Sequence, residues 1–132
     1  RTLNPETQKT VLNMMERMVL ATGQASGGKG IFEVLNSFPP TINDDRATAF
    51  ARDVIVELLG AENAVEVKQS SMGGEDFSAF LRRIPGSFLM LGVGDRGAIH
   101  NPAFDFNDAA VPVGIRVMAG IAARFIEHGL GQ

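Results

Sequence analysis

Phe88-Leu89-Met90-Leu91-Gly92-Val93 is an unbroken apolar run, and how it is read decides the fold. A strand with one face in water alternates apolar and polar residues, whereas a strand covered on both faces does not. This run does not alternate, so it predicts the central strand of a sheet sandwiched between helices. The turn Gly92-Val93-Gly94-Asp95-Arg96-Gly97 follows it. Next comes the loop His100-Asn101-Pro102-Ala103-Phe104-Asp105-Phe106-Asn107-Asp108. One imidazole is thereby carried to the place where a buried strand has just ended, which is where open α/β sheets put their ligands.

The flanking pattern supports an α/β order. Asn4-Pro5-Glu6 opens a helix, with Asn as cap, Pro at the first helical position and Glu at the positive end of the dipole. Val11, Leu12, Met14, Met15, Met18 and Val19 then recur at helical spacing and predict a core-facing stripe ending near Gly23. Residues 31–38 alternate through Phe32, Val34 and Phe38 and read as a strand stopped by Pro39-Pro40, a candidate domain boundary with Thr41-Ile42 crossing it. Asn43-Asp44 opens a second helix whose stripe is Phe50, Ala51, Val54, Ile55, Leu58 and Leu59, stopped by Gly60. A short strand is expected over 65–68, and a helix from Glu75 or Asp76 to Ile84. A last helix from about Ala109 or Pro112 to His128 would pack Val113, Val117, Ile121, Phe125 and Ile126, with Asp108 as its cap. If 88–93 is buried, Leu91→Ala costs roughly 2–5 kcal/mol.

Composition narrows the classes of function. The chain has 132 residues, 45% hydrophobic and 20% charged, enough for one domain or pieces of two. A net charge of −3 offers no basic face for nucleic acid. No apolar run approaches the roughly 20 residues of a membrane helix. Without cysteine there is no disulfide frame and no thiolate ligand. The chain starts at Arg1 with no signal peptide, so it is expected to begin inside a longer parent or at a processed end.

Few residues can carry chemistry. A neutral imidazole is the commonest protein ligand for zinc and can also act as a base, so His100 is the candidate ligand; read alone, it also fits a solvated loop histidine. A catalytic zinc needs about three protein ligands, and no HExxH, H-x-H or Cys pair supplies them here. Met72-Gly73-Gly74-Glu75-Asp76-Phe77 offers a backbone that a ligand can approach closely, ahead of a helix start. Glu75 and Asp76 fit equally well as helix caps. Asp105 and Asp108 are candidates to orient a ligand histidine. Arg82, Arg83 and Arg116 read as solvated charges, and His128 as a structural residue at a helix C-terminus. The glycine turn at 92–97 is half of a dinucleotide fingerprint, with no helix at once behind it.

Taken together these stretches resemble the metal-dependent aminoacylase and carboxypeptidase family. The nearest branch is the amidohydrolases that include hippurate hydrolase, N-acetyl-diaminopimelate deacetylase and indole-acetyl-amino-acid hydrolase. The resemblance rests on Arg1-Thr2 with Pro5-Glu6, Pro39-Pro40-Thr41-Ile42-Asn43-Asp44, Met72 to Phe77, Gly92-Val93-Gly94, and the loop from His100 to Asp108. It implies an α/β fold: the last part of a mixed-sheet metallohydrolase catalytic domain at 42–132, plus half of an α+β lid or dimerisation domain at 1–41. It places the strand at 31–38 in the lid's own antiparallel sheet.

The same resemblance implies that His100 is a metal ligand and that Gly73, Gly74, Glu75 and Asn43 bind substrate, Asn43 at the hinge. The general base and the other ligands would lie upstream of Arg1, leaving no catalytic residue in this stretch and the chain alone inactive. The implied cofactor is a divalent metal, zinc with manganese, cobalt or nickel as alternatives, in a two-metal site of the parent. The implied substrate is an N-acyl amino acid or related small amide. A cytoplasmic homo-oligomer joined through the lid is implied as well, with no nucleic acid or membrane partner. An open strand edge at 31–38 would favour self-association. The rival readings are a non-catalytic α/β interaction module and, on the glycine turn alone, a nucleotide-binding domain.

Overall fold

The computed structural model of the chain describes residues 2–130. Its elements are the helices α1 (Pro5–Ala25), α2 (Asp45–Leu59), α3 (Ser78–Leu81) and α4 (Ala110–His128), with a 3-10 turn at Ala61–Asn63. Local chemistry explains where they start and stop. Asn4 Oδ1 accepts from the Glu6 amide at 2.8 Å and the Thr7 amide at 3.3 Å, and Pro5 takes the first helical position, where its missing N–H costs nothing. Asp44 Oδ1 accepts from the Ala47 amide at 2.9 Å to cap α2, and Gly60, at φ 94°, ends it. The start of α4 corrects the expectation for Asp108. That residue gives only its backbone carbonyl, which accepts from the Val111 amide at 3.1 Å, while Asn107 Oδ1 accepts from the Ala109 amide at 3.2 Å.

The chain divides into two compact units, one made of the part up to Ile42 with Lys68–Ile84, the other of Asn43–Val67 with the part from Pro85 onward. In the second unit α2 packs on α4. The buried apolar residues among those described are Ala47, Ala51 and Val54 on α2 and Ala110 and Val117 on α4. Small residues let the helices approach. A Cβ on Gly120 would come within 2.7 Å of Leu58 Cδ1 and 3.2 Å of Val54 Cγ1. The rings of Phe50 and Phe125 meet edge-on at 6.4 Å, and Arg124 reaches Glu57 at 3.0 Å. The predicted stripe of α2 therefore holds, with Ala47 added. That of α4 is half right: Val113, Val117 and Ile121 are buried or half-buried, whereas Ile126 is exposed and Phe125, although its ring meets Phe50, is half open to solvent.

In the first unit α1 is followed by an extended segment that returns along it. Gln8 Nε2 donates to Ser37 Oγ at 3.0 Å, and a Cβ on Gly23 or Gly30 would collide with the facing backbone. The face turned to this segment is Gln8, Leu12, Val19 and Gly23, all half-buried. The methionine stripe is not core: Met14, Met15 and Met18 are exposed, Met18 at 67%. Helical spacing shows that a face is apolar, but not whether another element covers it.

The expected mixed-sheet α/β fold is overturned. Among the described residues there is no strand and no sheet; residues 31–38, 65–68 and 88–93 are extended but unladdered. Most of their apolar side chains stand in solvent, with Ile31 at 77%, Val65 at 79% and Met90 at 73% exposure, while Phe32, Phe88 and Val93 are half-buried. The helix expected from residue 75 to 84 is likewise short, a single turn at Ser78–Leu81. The physical reason is that a helix satisfies its backbone within one segment, whereas a strand exists only through the ladder it makes with another. Pattern identifies a segment suited to a sheet, but it does not create the partner.

Candidate functional site

Residues 88–93 are held by side chains rather than by a ladder. At the near end, Asn43 Nδ2 donates to the Phe88 carbonyl at 3.1 Å while the Phe88 amide donates to Asn43 Oδ1 at 2.8 Å. The Asp44 amide donates to the Gly86 carbonyl at 2.9 Å, and the hydroxyls of Thr48 and Ser87 lie 3.0 Å apart. This half-buried clamp ties the segment to the start of α2. At the far end, Asn107 Nδ2 donates to the Val93 carbonyl at 3.3 Å.

His100 lies on the loop between Val93 and Asn107. The residue is exposed. Its backbone has φ 71°, the one positive φ at a non-glycine residue among those described. The Asn101 amide donates to the Ala98 carbonyl at 3.1 Å, so His100 occupies the third position of a tight turn, where glycine is usual. Holding a non-glycine residue there costs about 1–3 kcal/mol, and such strain persists only where neighbouring contacts impose it. A second turn follows at once: the Ala103 amide donates to Asn101 Oδ1 at 2.8 Å and the Phe104 amide to the Asn101 carbonyl at 2.9 Å. The two turns present the imidazole at the loop's tip.

The glycine–acid turn belongs to the first unit. Gly73 and Gly74 are exposed, and the Gly73 amide donates to Ser71 Oγ at 3.0 Å. Glu75 is half-buried; its Oε1 accepts from the Phe77 amide at 3.1 Å, and its carbonyl accepts from Ser78 Oγ at 2.8 Å. Its carboxylate thus serves the start of the helical turn, one of the two uses expected for it. Asn43 and His100 share the second unit, at opposite ends of the path through 88–93. The sequence reading named Asn43 but missed Asn107. An Asn just ahead of a helix reads as a cap, and nothing in the pattern shows its amide reaching back to Val93.

Among the described residues no three His, Cys, Asp or Glu side chains gather as a metal site. His100 therefore offers a metal a single imidazole, with no closed set of donors around it among the described residues. Asp105 and Asp108, considered as groups that orient His100, are both exposed and make no hydrogen bond or ion pair with it. Arg82, Arg83 and Arg116 are exposed, as expected of solvated charges. His128 Nε2 lies 3.6 Å from Glu127 Oε2, beside an open groove of about 420 Å³ that also includes Arg46, Phe50 and Arg124. That groove is at the other end of α4 from the His100 loop. No helix among the described residues is long and apolar enough to cross a membrane.

An Asn-clamped apolar segment leading into a strained histidine turn, with a glycine–acid turn elsewhere in the chain, coincides with a family match. Residues 15–124 match the model of peptidase family M20/M25/M40, and the chain belongs to that family. It is 37% identical over 94 residues to "IAA-amino acid hydrolase ILR1-like 4" of Arabidopsis thaliana, covering 67% of this chain and 21% of that protein. It is 28% identical over 127 residues to "N-acetylcysteine deacetylase" of Bacillus subtilis, covering 96% of this chain and 33% of that protein. A third relative, "Putative glutamate--cysteine ligase 2-3" of Rhodococcus jostii, shares 36% identity over 91 residues, 66% of this chain but 11% of its own length. So small a share does not tie the ligase name to the common segment. No solved structure matches. The chain spans about a fifth of the length of the first of these relatives.

Proposed function

We propose that this chain is the part of an M20-type amidohydrolase that supplies His100 to a divalent metal and helps to shape the pocket for an N-acyl amino acid or a related small amide. One observation carries the reading: two relatives aligned over most of the chain are named as an amino acid conjugate hydrolase and a deacetylase, and both names denote cleavage of an amide. The glycine–acid turn, the Asn43 clamp and the histidine loop give the reading its residues.

In this reading residues 42–132 belong to the catalytic part and 1–41 to the lid through which copies associate. The exposed apolar side chains of α1 and of 31–38 support an association surface there. The metal is zinc, or else manganese, cobalt or nickel, and its other donors and the general base come from elsewhere in the intact protein. When bound, such a metal would polarise the amide carbonyl and lower the pKa of water. This chain's residues orient and bind. His100 presents its imidazole from a fixed turn, Gly73 and Gly74 leave room for a ligand to reach the backbone, and Glu75 and Asn43, each within its own unit, are assigned to substrate binding. A cytoplasmic location belongs to the same reading.

The test is His100→Ala in the intact protein, assayed against a panel of N-acetyl amino acids with metal analysis alongside. Hydrolysis should fall by at least about a hundredfold, with a lower metal content and an unchanged circular dichroism spectrum. Near-normal turnover at normal metal content would remove His100 from the site.

A further inference from the structure

We propose that Asn107 is the positioning residue for His100: a single amide closes the base of the loop at 94–106 and so holds the histidine turn in its left-handed conformation. The proposal rests on the reading of His100 as a ligand for its functional meaning, but its structural core stands on contacts within one unit.

The loop has two arms of unequal stiffness. On one side Gly94 and Gly97 sit at φ 80° and 81°, and a Cβ at either would meet nothing within 4 Å. The Gly97 amide donates to Asp95 Oδ1 at 3.4 Å, a long bond that stays within the arm, so it ties the arm to nothing outside the loop. On the other side the Asn101 side chain and carbonyl fix the turn through Phe104, yet that turn must itself be anchored.

Asn107 supplies the anchor. Its Nδ2 reaches across 14 positions to the Val93 carbonyl, and its Oδ1 accepts from the Ala109 amide at the start of α4. Val93, Phe104 and Asn107 are half-buried, whereas the rest of residues 94–106 is exposed. One side chain therefore joins the last residue of the clamped segment to the helix, and everything between hangs from that joint. Closing the ends of a compact loop restricts the conformations of its tip. The clamp at Asn43 fixes Phe88, so the path from α2 to α4 is pinned at both ends, with His100 displayed beyond the second pin.

The two functions of Asn107 can be separated by substitution. Asn107→Asp keeps the oxygen that accepts from Ala109 and removes the donor to Val93. Amide hydrogen exchange in this variant should quicken about tenfold or more at Asn101, Ala103 and Phe104, while amides in the middle of α4, such as Val117, keep their protection. In the background of His100→Gly, which relieves the strain, the same substitution should change loop exchange much less, a non-additivity that a purely structural contact would not show. Unchanged exchange at these three amides, or additive effects of the two substitutions, would overturn the proposal. In the intact protein Asn107→Asp should lower turnover of an N-acetyl amino acid at least about tenfold, and full activity beside an inactive His100→Ala would also overturn it. If His100→Ala is itself fully active, the functional reading of His100 fails, and the exchange data alone then decide whether the clasp exists.

Discussion

The paired helices α2 and α4 and the extended segments at 31–38 and 88–93 are equally apolar in sequence, yet they end in opposite environments. On the helices Ala51, Val54, Ala110 and Val117 are buried, while Ile31, Leu35 and Met90 stand in water. The helices close their backbone hydrogen bonds internally and need only one facing surface, which each finds in the other. The extended segments need both a ladder and a cover. One of them, 88–93, is held in place by two asparagine side chains, which fix where it runs without burying its side chains. Backbone anchoring and burial are thus supplied separately in this chain.

That contrast can be broken most sharply at Val54. Val54→Asp places an unpaired carboxylate in the α2–α4 contact, where the side chain is 3% exposed, and should cost about 4 kcal/mol, read as loss of the cooperative thermal transition. Retention of the transition near its original temperature would mean that the helix pair is not the core of its unit. A smaller loss is expected from Asn43→Ala, which deletes both bonds to Phe88; about 1–3 kcal/mol should disappear in urea unfolding, and amides near Gly86 to Phe88 should exchange faster.

Leu91→Ala sharpens the comparison from the other direction. The 2–5 kcal/mol expected for a covered strand does not apply to a side chain that is 45% exposed. Its Cδ2 would lie 3.1 Å from a Cβ on Gly114, so some contact is lost, and below about 1 kcal/mol is expected. A larger loss would restore the buried strand. The smallest effect belongs to Arg124→Met, which breaks the ion pair with Glu57. With the side chains 37% and 66% exposed, the change should stay under about 0.5 kcal/mol and shrink further as salt is raised.

The candidate site was only partly legible in the sequence. His100 could be picked out because imidazoles are scarce here and this one follows an apolar run. The Gly73-Gly74-Glu75 turn was visible as a break before a helix. Asn43 was noticed, but its hydrogen bonds to Phe88 were not, since a side chain that replaces a ladder contact leaves no periodic trace. Asn107 went unmarked for the same reason. The strain at His100 was equally hidden: a positive φ is cheap to recognise at glycine and invisible at histidine until the backbone is traced.

The sequence by itself determined the long helices and most of their ends, because capping, proline placement and helical spacing are local chemistry acting within a few residues. Its motifs also determined the family. Only the tertiary structure decided which apolar faces are covered, that the strand-like runs form no sheet, and that asparagines stand in for the missing ladder at both ends of 88–93. Those outcomes depend on whether a partner surface is present, and a chain's pattern specifies the need for such a surface without supplying it.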